Sequence, residues 1–197
     1  VLLERLLAAP LGLRDTAFAT REGARLATPY VSDTPQPHRL REGEVVAPFE
    51  GTVGIEYSLA RALDASRFAS AGAGLVGTAD EVMVVLEALR DVQRSGLLPP
   101  ALAAEMASPQ VGEQGPPEPA GWGFGLGFAL LRDATASGTP QREGTWRWGG
   151  AYGHSWFVDP SRGLSVVALT NTLYEGMDGA FVDELRDAVY ADLETVR

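Results

Sequence analysis

The sequence predicts an α+β fold in which an antiparallel sheet is covered by helices. Residues 121–128 alternate large apolar side chains with glycine, which is the period of two that a strand shows. Three more strand-like runs follow at 145–148, 154–158 and 164–170, and a helical pattern ends the chain. Strands that follow one another through short turns pair in antiparallel order, and the apolar face of the final helix needs a sheet to cover.

The N-terminal part begins with a helical pattern and then becomes irregular. Leucines at positions 2, 3, 6 and 7 predict a helix that Pro10 and Gly12 end. No N-cap residue precedes these leucines, so we expect the helix to begin upstream of the first residue. Four prolines interrupt residues 14–68, which predicts loops and short strands there, with a short helix at 59–63.

The clearest helix start lies in the middle of the chain. Thr78 and Glu81 stand three residues apart, as a capping box requires. The apolar stripe that follows consists of Val82, Val85, Leu86 and Leu89. A second helix is predicted at 100–106 and an exposed loop at 113–119. The final helix is expected to start near Asp178, with an apolar face made of Phe181, Leu185, Ala188 and Val189.

Composition excludes several classes of function. The chain has 197 residues, 45% of them hydrophobic and 21% charged, which suits one globular domain or a large part of one. A net charge of −10 leaves no basic face for nucleic acid or for an anionic membrane surface. Cysteine is absent and histidine occurs twice, so we expect no metal site, and no cofactor is implied. No apolar run approaches the roughly 20 residues that span a bilayer.

The most informative stretch is residues 146–160, which contains Trp148, Gly149 and Gly150 between further aromatic residues. Two adjacent glycines lack β-carbons and so let a substrate or another backbone approach closely. This pattern predicts a slot with exposed amides and apolar walls at the end of a strand. A plain hairpin with a Gly-Gly turn and tryptophans in the core explains the same residues, and both interpretations stay open.

The stretch resembles the third active-site motif of the class C β-lactamases and family VIII esterases. Trp148-Gly149-Gly150 stands where the lactamases carry Lys-Thr-Gly and many of the esterases carry Trp-Gly-Gly. Three further blocks resemble the family and occur in its order: residues 10–16, residues 71–80, and the pair 156–160 with 166–171. Together the blocks span nearly the whole chain.

The resemblance implies a fold and a reaction. The fold would be the C-terminal part of an α/β/α sandwich, with residues 1–197 as the C-terminal portion of a single β-lactamase-like domain. The reaction would be acyl transfer through an acyl-serine, with the backbone N–H of Ala151 as one donor of the oxyanion hole. Trp148, Gly149, Gly150 and Tyr152 would border the substrate. His154 is expected either to contact the substrate or to serve the structure alone.

The resemblance also shows what this chain lacks. The family's nucleophile lies in a Ser-x-x-Lys motif, and the chain contains no lysine. Ser58 is followed three residues later by Arg61, which stays protonated and cannot act as a base. Tyr57-Ser58-Leu59 lacks the asparagine of the family's tyrosine triplet and lies on the wrong side of the 10–16 block. We therefore expect an N-terminal segment of the same protein to supply nucleophile and base; a gene remnant is the alternative.

Three functions remain at this point. A carboxylesterase-like serine hydrolase acting on a small ester or amide is favoured, because Trp148 replaces the lysine that would hold a substrate carboxylate. A β-lactamase or D-Ala-D-Ala peptidase is the second. A non-catalytic remnant that serves as a binding or assembly module is the alternative outside enzymes.

Overall fold

The computed structural model describes residues 2–70, 72–111 and 119–195. The predicted loop at 113–119 lies outside the described residues except for Pro119, so that prediction has no structural counterpart here. Within the described ranges, no helix combines the length and hydrophobicity needed to cross a bilayer.

The first helix ends where the sequence predicts. A π-helical stretch, Glu4–Ala8, continues into the α-helical turn α1, Ala9–Leu11. Gly12 caps the helix with φ 69°, a left-handed conformation that glycine adopts without a steric cost. Pro10 lies inside the last turn, so Gly12 ends the helix by itself.

The region from Gly12 to α2 is irregular, as expected. Its strands are two residues long and form two antiparallel ladders: β1 (Tyr30–Val31) with β2 (His38–Arg39), and β3 (Val45–Val46) with β4 (Ile55–Glu56). Two 3-10 helices, Gly23–Arg25 and Leu59–Leu63, complete it. The second of these is the short helix predicted at 59–63, and it has 3-10 geometry.

In the described part of the chain, α1 is followed by α2 (Ala79–Arg90), α3 (Val92–Ser95), α4 (Pro100–Met106), α5 (Ala134–Ser137) and α6 (Ala180–Thr195). Thr78 caps α2 by accepting a hydrogen bond from the backbone N–H of Glu81. The Glu81 carboxylate does not complete the predicted capping box. It accepts hydrogen bonds instead from the N–H groups of Arg14 and Asp15 and from the Thr16 hydroxyl, which ties the segment after α1 to α2.

The main sheet has five antiparallel strands in chain order: β5 (Trp122–Phe124), β6 (Ala129–Leu131), β7 (Trp146–Gly150), β8 (His154–Asp159) and β9 (Leu164–Leu169). The predicted strand at 121–128 is wrong in its second half. The chain turns after Phe124, where Gly125 N–H donates to Phe128 O and Gly127 takes φ 106°. The glycines that suggested a strand are the residues that a hairpin turn needs.

Helices cover both faces of this sheet, so the predicted sandwich is confirmed. On one face, Leu86 of α2 packs with Phe128, Trp146 and Val158. On the other face, Tyr190 of α6 stacks on Phe157. The predicted apolar face of α6 is wrong at one position, because Ala188 is exposed while Tyr190 is almost fully buried.

Candidate active site

The candidate site lies where β7 extends beyond β6. Arg147 is the last residue of β7 that pairs with β6, opposite Ala129. The next three residues, Trp148 to Gly150, pair with β8 alone. Gly149 and Gly150 are therefore strand residues, so the interpretation as a Gly-Gly turn is wrong, and the turn lies at residues 151–153. The β6 side of β7 is open at this end.

The peptide that joins Gly150 to Ala151 directs its N–H toward that open side. The Gly150 carbonyl accepts a hydrogen bond of 2.9 Å from Gly153 N–H, inside the turn. In a planar trans peptide the carbonyl oxygen and the following N–H point in opposite directions. The N–H of Ala151 therefore points out of the turn. Among the backbone hydrogen bonds of the described turns and loops, the Ala151 carbonyl accepts one, and the Ala151 N–H donates none.

Trp148 forms an exposed apolar wall beside this N–H. Its side chain is 43% exposed, although tryptophan usually buries most of its surface. The indole meets the ring of Phe124 edge to face, and it shares a face of the sheet with Trp156, its partner on β8. Trp156 packs in turn against the core around Trp146.

His154 lies directly across the ladder from Gly150. A β-carbon at position 150 would stand 3.1 Å from His154 Nδ1, so a larger residue there would crowd the imidazole. Burial lowers the pKa of His154, so the ring is neutral near pH 7. A neutral imidazole can donate or accept a hydrogen bond, but it adds no positive charge to the site.

Tyr152 lies in the turn and its ring points into a cluster of tyrosines. The ring of Tyr152 meets that of Tyr57 edge to face at 5.3 Å, and Tyr57 meets Tyr174 in the same manner at 6.2 Å. The Tyr57 hydroxyl donates a 2.6 Å hydrogen bond to the hydroxyl of Tyr174. Burial raises the pKa of both Tyr57 and Tyr152, so neither is ionised near neutral pH.

The segment after β9 is the part of the site that the sequence did not reveal. Residues 172–177 lie against the turn at 151–153, and Tyr174 N–H donates to Ala151 O at 2.9 Å. The sequence feature that could have indicated this contact is a glycine in each of the two segments, Gly153 and Gly176. A β-carbon on Gly176 would stand 2.1 Å from Gly153 O, so the two backbones approach more closely than any other residue type permits.

Ser58 has a structural partner. Its hydroxyl donates to the Glu42 carboxylate, which also accepts hydrogen bonds from the N–H groups of Leu59 and Ala60. These bonds lower the pKa of Glu42 and hold the start of the 3-10 helix.

Two clefts, of about 300 and 210 Å³, lie elsewhere in the molecule. The first is lined in part by Tyr174, and the second lies beside α4. Trp148, on the part of β7 that β6 does not pair, remains an exposed apolar wall.

A model of the beta-lactamase family matches residues 1–191. The chain belongs to the beta-lactamase family. This confirms the resemblance that the sequence motifs indicated. Among curated relatives, this beta-lactamase family chain is 46% identical to Esterase EstB of Burkholderia gladioli over 190 residues, which is 96% of this chain and 48% of the esterase.

Solved structures agree with this family assignment. EstCE1, described as a hydrolase with promiscuous acyltransferase activity, superposes with a TM-score of 0.87 at 48% identity, over 95% of this chain and 49% of that one. A mutant of simvastatin synthase (LovD) from Aspergillus terreus shares the fold, with a TM-score of 0.73 at 20% identity over 98% of this chain and 49% of that one. This beta-lactamase family chain therefore spans about half the length of the relatives it matches.

Proposed function

We propose that residues 1–197 are the C-terminal portion of a single β-lactamase-like domain in a serine hydrolase that cleaves carboxylic esters. The observation that carries the proposal is the N–H of Ala151, which points out of the turn at the open end of β7 beside an exposed tryptophan. The identity to EstB supports an ester as the substrate class.

In this proposal the chain stabilises charge that appears during the reaction. A serine oxygen attacks the ester carbonyl, a base takes the serine proton, and the carbonyl oxygen becomes an anion. Ala151 N–H donates to that oxygen, and a preorganised donor of this kind is worth about 3 kcal/mol of transition-state stabilisation. The intermediate expels the alcohol, which receives the proton, and leaves an acyl-serine that water hydrolyses.

The serine and its base would come from the N-terminal segment of the same protein. The relatives are about twice as long as this chain, and the chain has no lysine for a Ser-x-x-Lys motif. The same segment would face Trp148 and complete the pocket, since this side of Trp148 is left exposed by the described residues.

Trp148 and Phe124 favour an uncharged acyl or alcohol group over a substrate with a carboxylate. An apolar wall offers no cation for an ion pair, and a neutral His154 adds none. The acyl-serine could also pass its acyl group to an alcohol, and the similarity to EstCE1 supports that second outcome.

The decisive experiment uses the complete protein. Hydrolysis of p-nitrophenyl butyrate, together with covalent labelling of one serine by a fluorophosphonate, is the expected result. Hydrolysis of a chromogenic cephalosporin at a higher kcat/KM than the ester would favour a β-lactamase instead. Absence of both activities and of labelling would favour a non-catalytic binding module.

The isolated 197-residue chain tests whether the nucleophile and the base come from an N-terminal segment. We expect it to show no ester hydrolysis, because it lacks nucleophile and base. Full activity from the purified chain would refute the proposal that an N-terminal segment supplies them.

A further inference from the structure

A tyrosine from the segment after β9 donates a hydrogen bond to the turn that carries Ala151. Tyr174 N–H donates to the carbonyl of Ala151, while Gly153 N–H donates to the carbonyl of Gly150. The two peptides on either side of the Ala151 α-carbon are thus each fixed by one hydrogen bond. The direction of the Ala151 N–H depends on both bonds, because each peptide is a rigid plane.

Tyr174 holds this place in an unfavourable backbone conformation. Its φ of 68° makes it the one non-glycine residue with positive φ in the described parts of the chain. Such a conformation is strained for a residue with a β-carbon, so contacts elsewhere must hold the tyrosine there. The neighbouring Leu173 is buried, and its N–H donates to Tyr30 O at 2.8 Å.

The side chain of Tyr174 makes further contacts, in addition to the backbone hydrogen bonds that its carbonyl accepts from Met177 and Asp178. Its hydroxyl accepts from the Tyr57 hydroxyl at 2.6 Å and donates to Val46 O at 3.3 Å. The ring also packs edge to face on the ring of Tyr57. A continuous chain of contacts therefore runs from Val46 on β3, through Tyr174, to the carbonyl of Ala151.

We infer that Tyr174 is a positioning residue that aims the Ala151 N–H at the oxyanion. The inference rests on the proposed function and extends it to a residue that does not touch the substrate. Oxyanion donors act through preorganisation, so a turn that can rotate loses transition-state stabilisation while substrate binding is largely kept. Tyr57 contributes to the same positioning, because its hydroxyl donates a hydrogen bond to the Tyr174 hydroxyl.

The test uses the complete protein and the variant Tyr174→Phe. This change keeps the ring and the backbone N–H and removes both hydroxyl contacts. We expect kcat for p-nitrophenyl butyrate to fall about 5- to 20-fold, with KM changed less than twofold. Affinity for an alkyl boronic acid, which forms a tetrahedral adduct with the serine, should fall by a similar factor.

Two further variants separate positioning from general stability. Tyr57→Phe should lower kcat in the same direction, and the double variant should lose no more than Tyr174→Phe alone, since both act through one hydroxyl pair. Tyr190→Phe is the matched control. It also removes a 2.6 Å hydroxyl hydrogen bond, to Asp159 at the far end of β8, and should lower thermal stability without changing kcat.

The outcomes distinguish this inference from the proposed function. An active wild-type protein whose Tyr174→Phe variant keeps its kcat and its boronic acid affinity would overturn the inference alone. Equal losses of kcat in Tyr174→Phe and Tyr190→Phe would overturn it too, because instability would then explain both. A wild-type protein without hydrolysis or serine labelling would overturn the proposed function and, with it, this inference.

Discussion

The indole of Trp148 meets the ring of Phe124 edge to face, with ring centroids 5.0 Å apart. Trp148 belongs to β7 and Phe124 ends β5, so the contact reaches past the short strand β6 between them. Edge-to-face pairs add about 0.5–1.5 kcal/mol beyond the burial of area. The pair holds the indole in one orientation while much of its surface stays open to a substrate.

Removal of the Trp148 indole should weaken substrate binding. In the complete protein, Trp148→Ala should lower kcat/KM for p-nitrophenyl butyrate about 10-fold, mainly through KM, because an apolar contact acts on substrate and transition state alike. Steady-state kinetics with esters of increasing acyl length measure the effect. Trp122→Ala is the control, since the Trp122 indole N–H donates to Ser137 and its ring packs under Arg147 rather than against Trp148. An equal rise of KM in both variants would contradict a binding role for Trp148.

Removal of one N–H tests the oxyanion hole directly. Proline has no N–H, so Ala151→Pro should lower kcat at least 100-fold in the complete protein. Ala151→Gly keeps the N–H and should stay within about threefold of the wild type. Circular dichroism and thermal melting show whether the proline variant is folded. A folded Ala151→Pro protein with normal kcat would exclude this N–H from catalysis.

The sequence predicted the sheet and the place of the candidate site because both depend on local patterns. Alternation of side chains, turn residues and the capping Thr78 act within a few residues of one another, and α4 lies where it was predicted. The Trp148-Gly149-Gly150 motif marked the end of β7. The sequence left open whether its glycines form the turn or the end of the strand, because glycine serves a turn and a close approach equally well.

The contribution of Tyr174 could not be predicted in this way. Its hydrogen bonds to Ala151 and Tyr57 join residues far apart in the chain, and they exist only because the β8–β9 hairpin brings residues 172–177 back to the turn. The glycines at 153 and 176 were visible, but one sequence does not show that they face each other. The strand predicted at 121–128 failed for a related reason, since alternation does not reveal where Gly127 reverses the chain.

The buried pair between Tyr190 and Asp159 should be a main link between α6 and the sheet. The Tyr190 hydroxyl donates to the Asp159 carboxylate at 2.6 Å, and both residues are almost fully buried. Burial raises the pKa of Tyr190, and the neighbouring carboxylate raises it further, so the hydroxyl keeps its proton.

Loss of that hydroxyl leaves a carboxylate short of a partner. Tyr190→Phe should therefore lower the free energy of unfolding by about 1–3 kcal/mol, as measured by urea denaturation of the complete protein. Ser161 also donates to Asp159, so Ser161→Ala is the comparison, and it should cost less because Ser161 is more exposed. A Tyr190→Phe variant as stable as the wild type would show that water replaces the lost donor.

The pKa values of the two histidines should lie on opposite sides of 6.5, the ordinary value for histidine. The pKa of His38 is raised chiefly by its 2.8 Å hydrogen bond to Glu44, with a smaller contribution from Asp33, whereas burial lowers the pKa of His154. Protonation of His38 therefore stabilises the folded state. This stabilisation is complete below pH 6.5 and is lost as the pH rises through the pKa of His38 in the folded protein. His154 has the opposite effect. As the pH falls below 6.5, the unfolded state binds a proton at His154 before the folded state does, so the free energy of unfolding decreases. NMR titration of the imidazole signals, assigned with His38→Gln, measures both values. Glu44→Gln should move the His38 pKa back toward 6.5 and leave His154 unchanged, and a His154 pKa above 6.5 would mean that its ring is solvated in the folded protein.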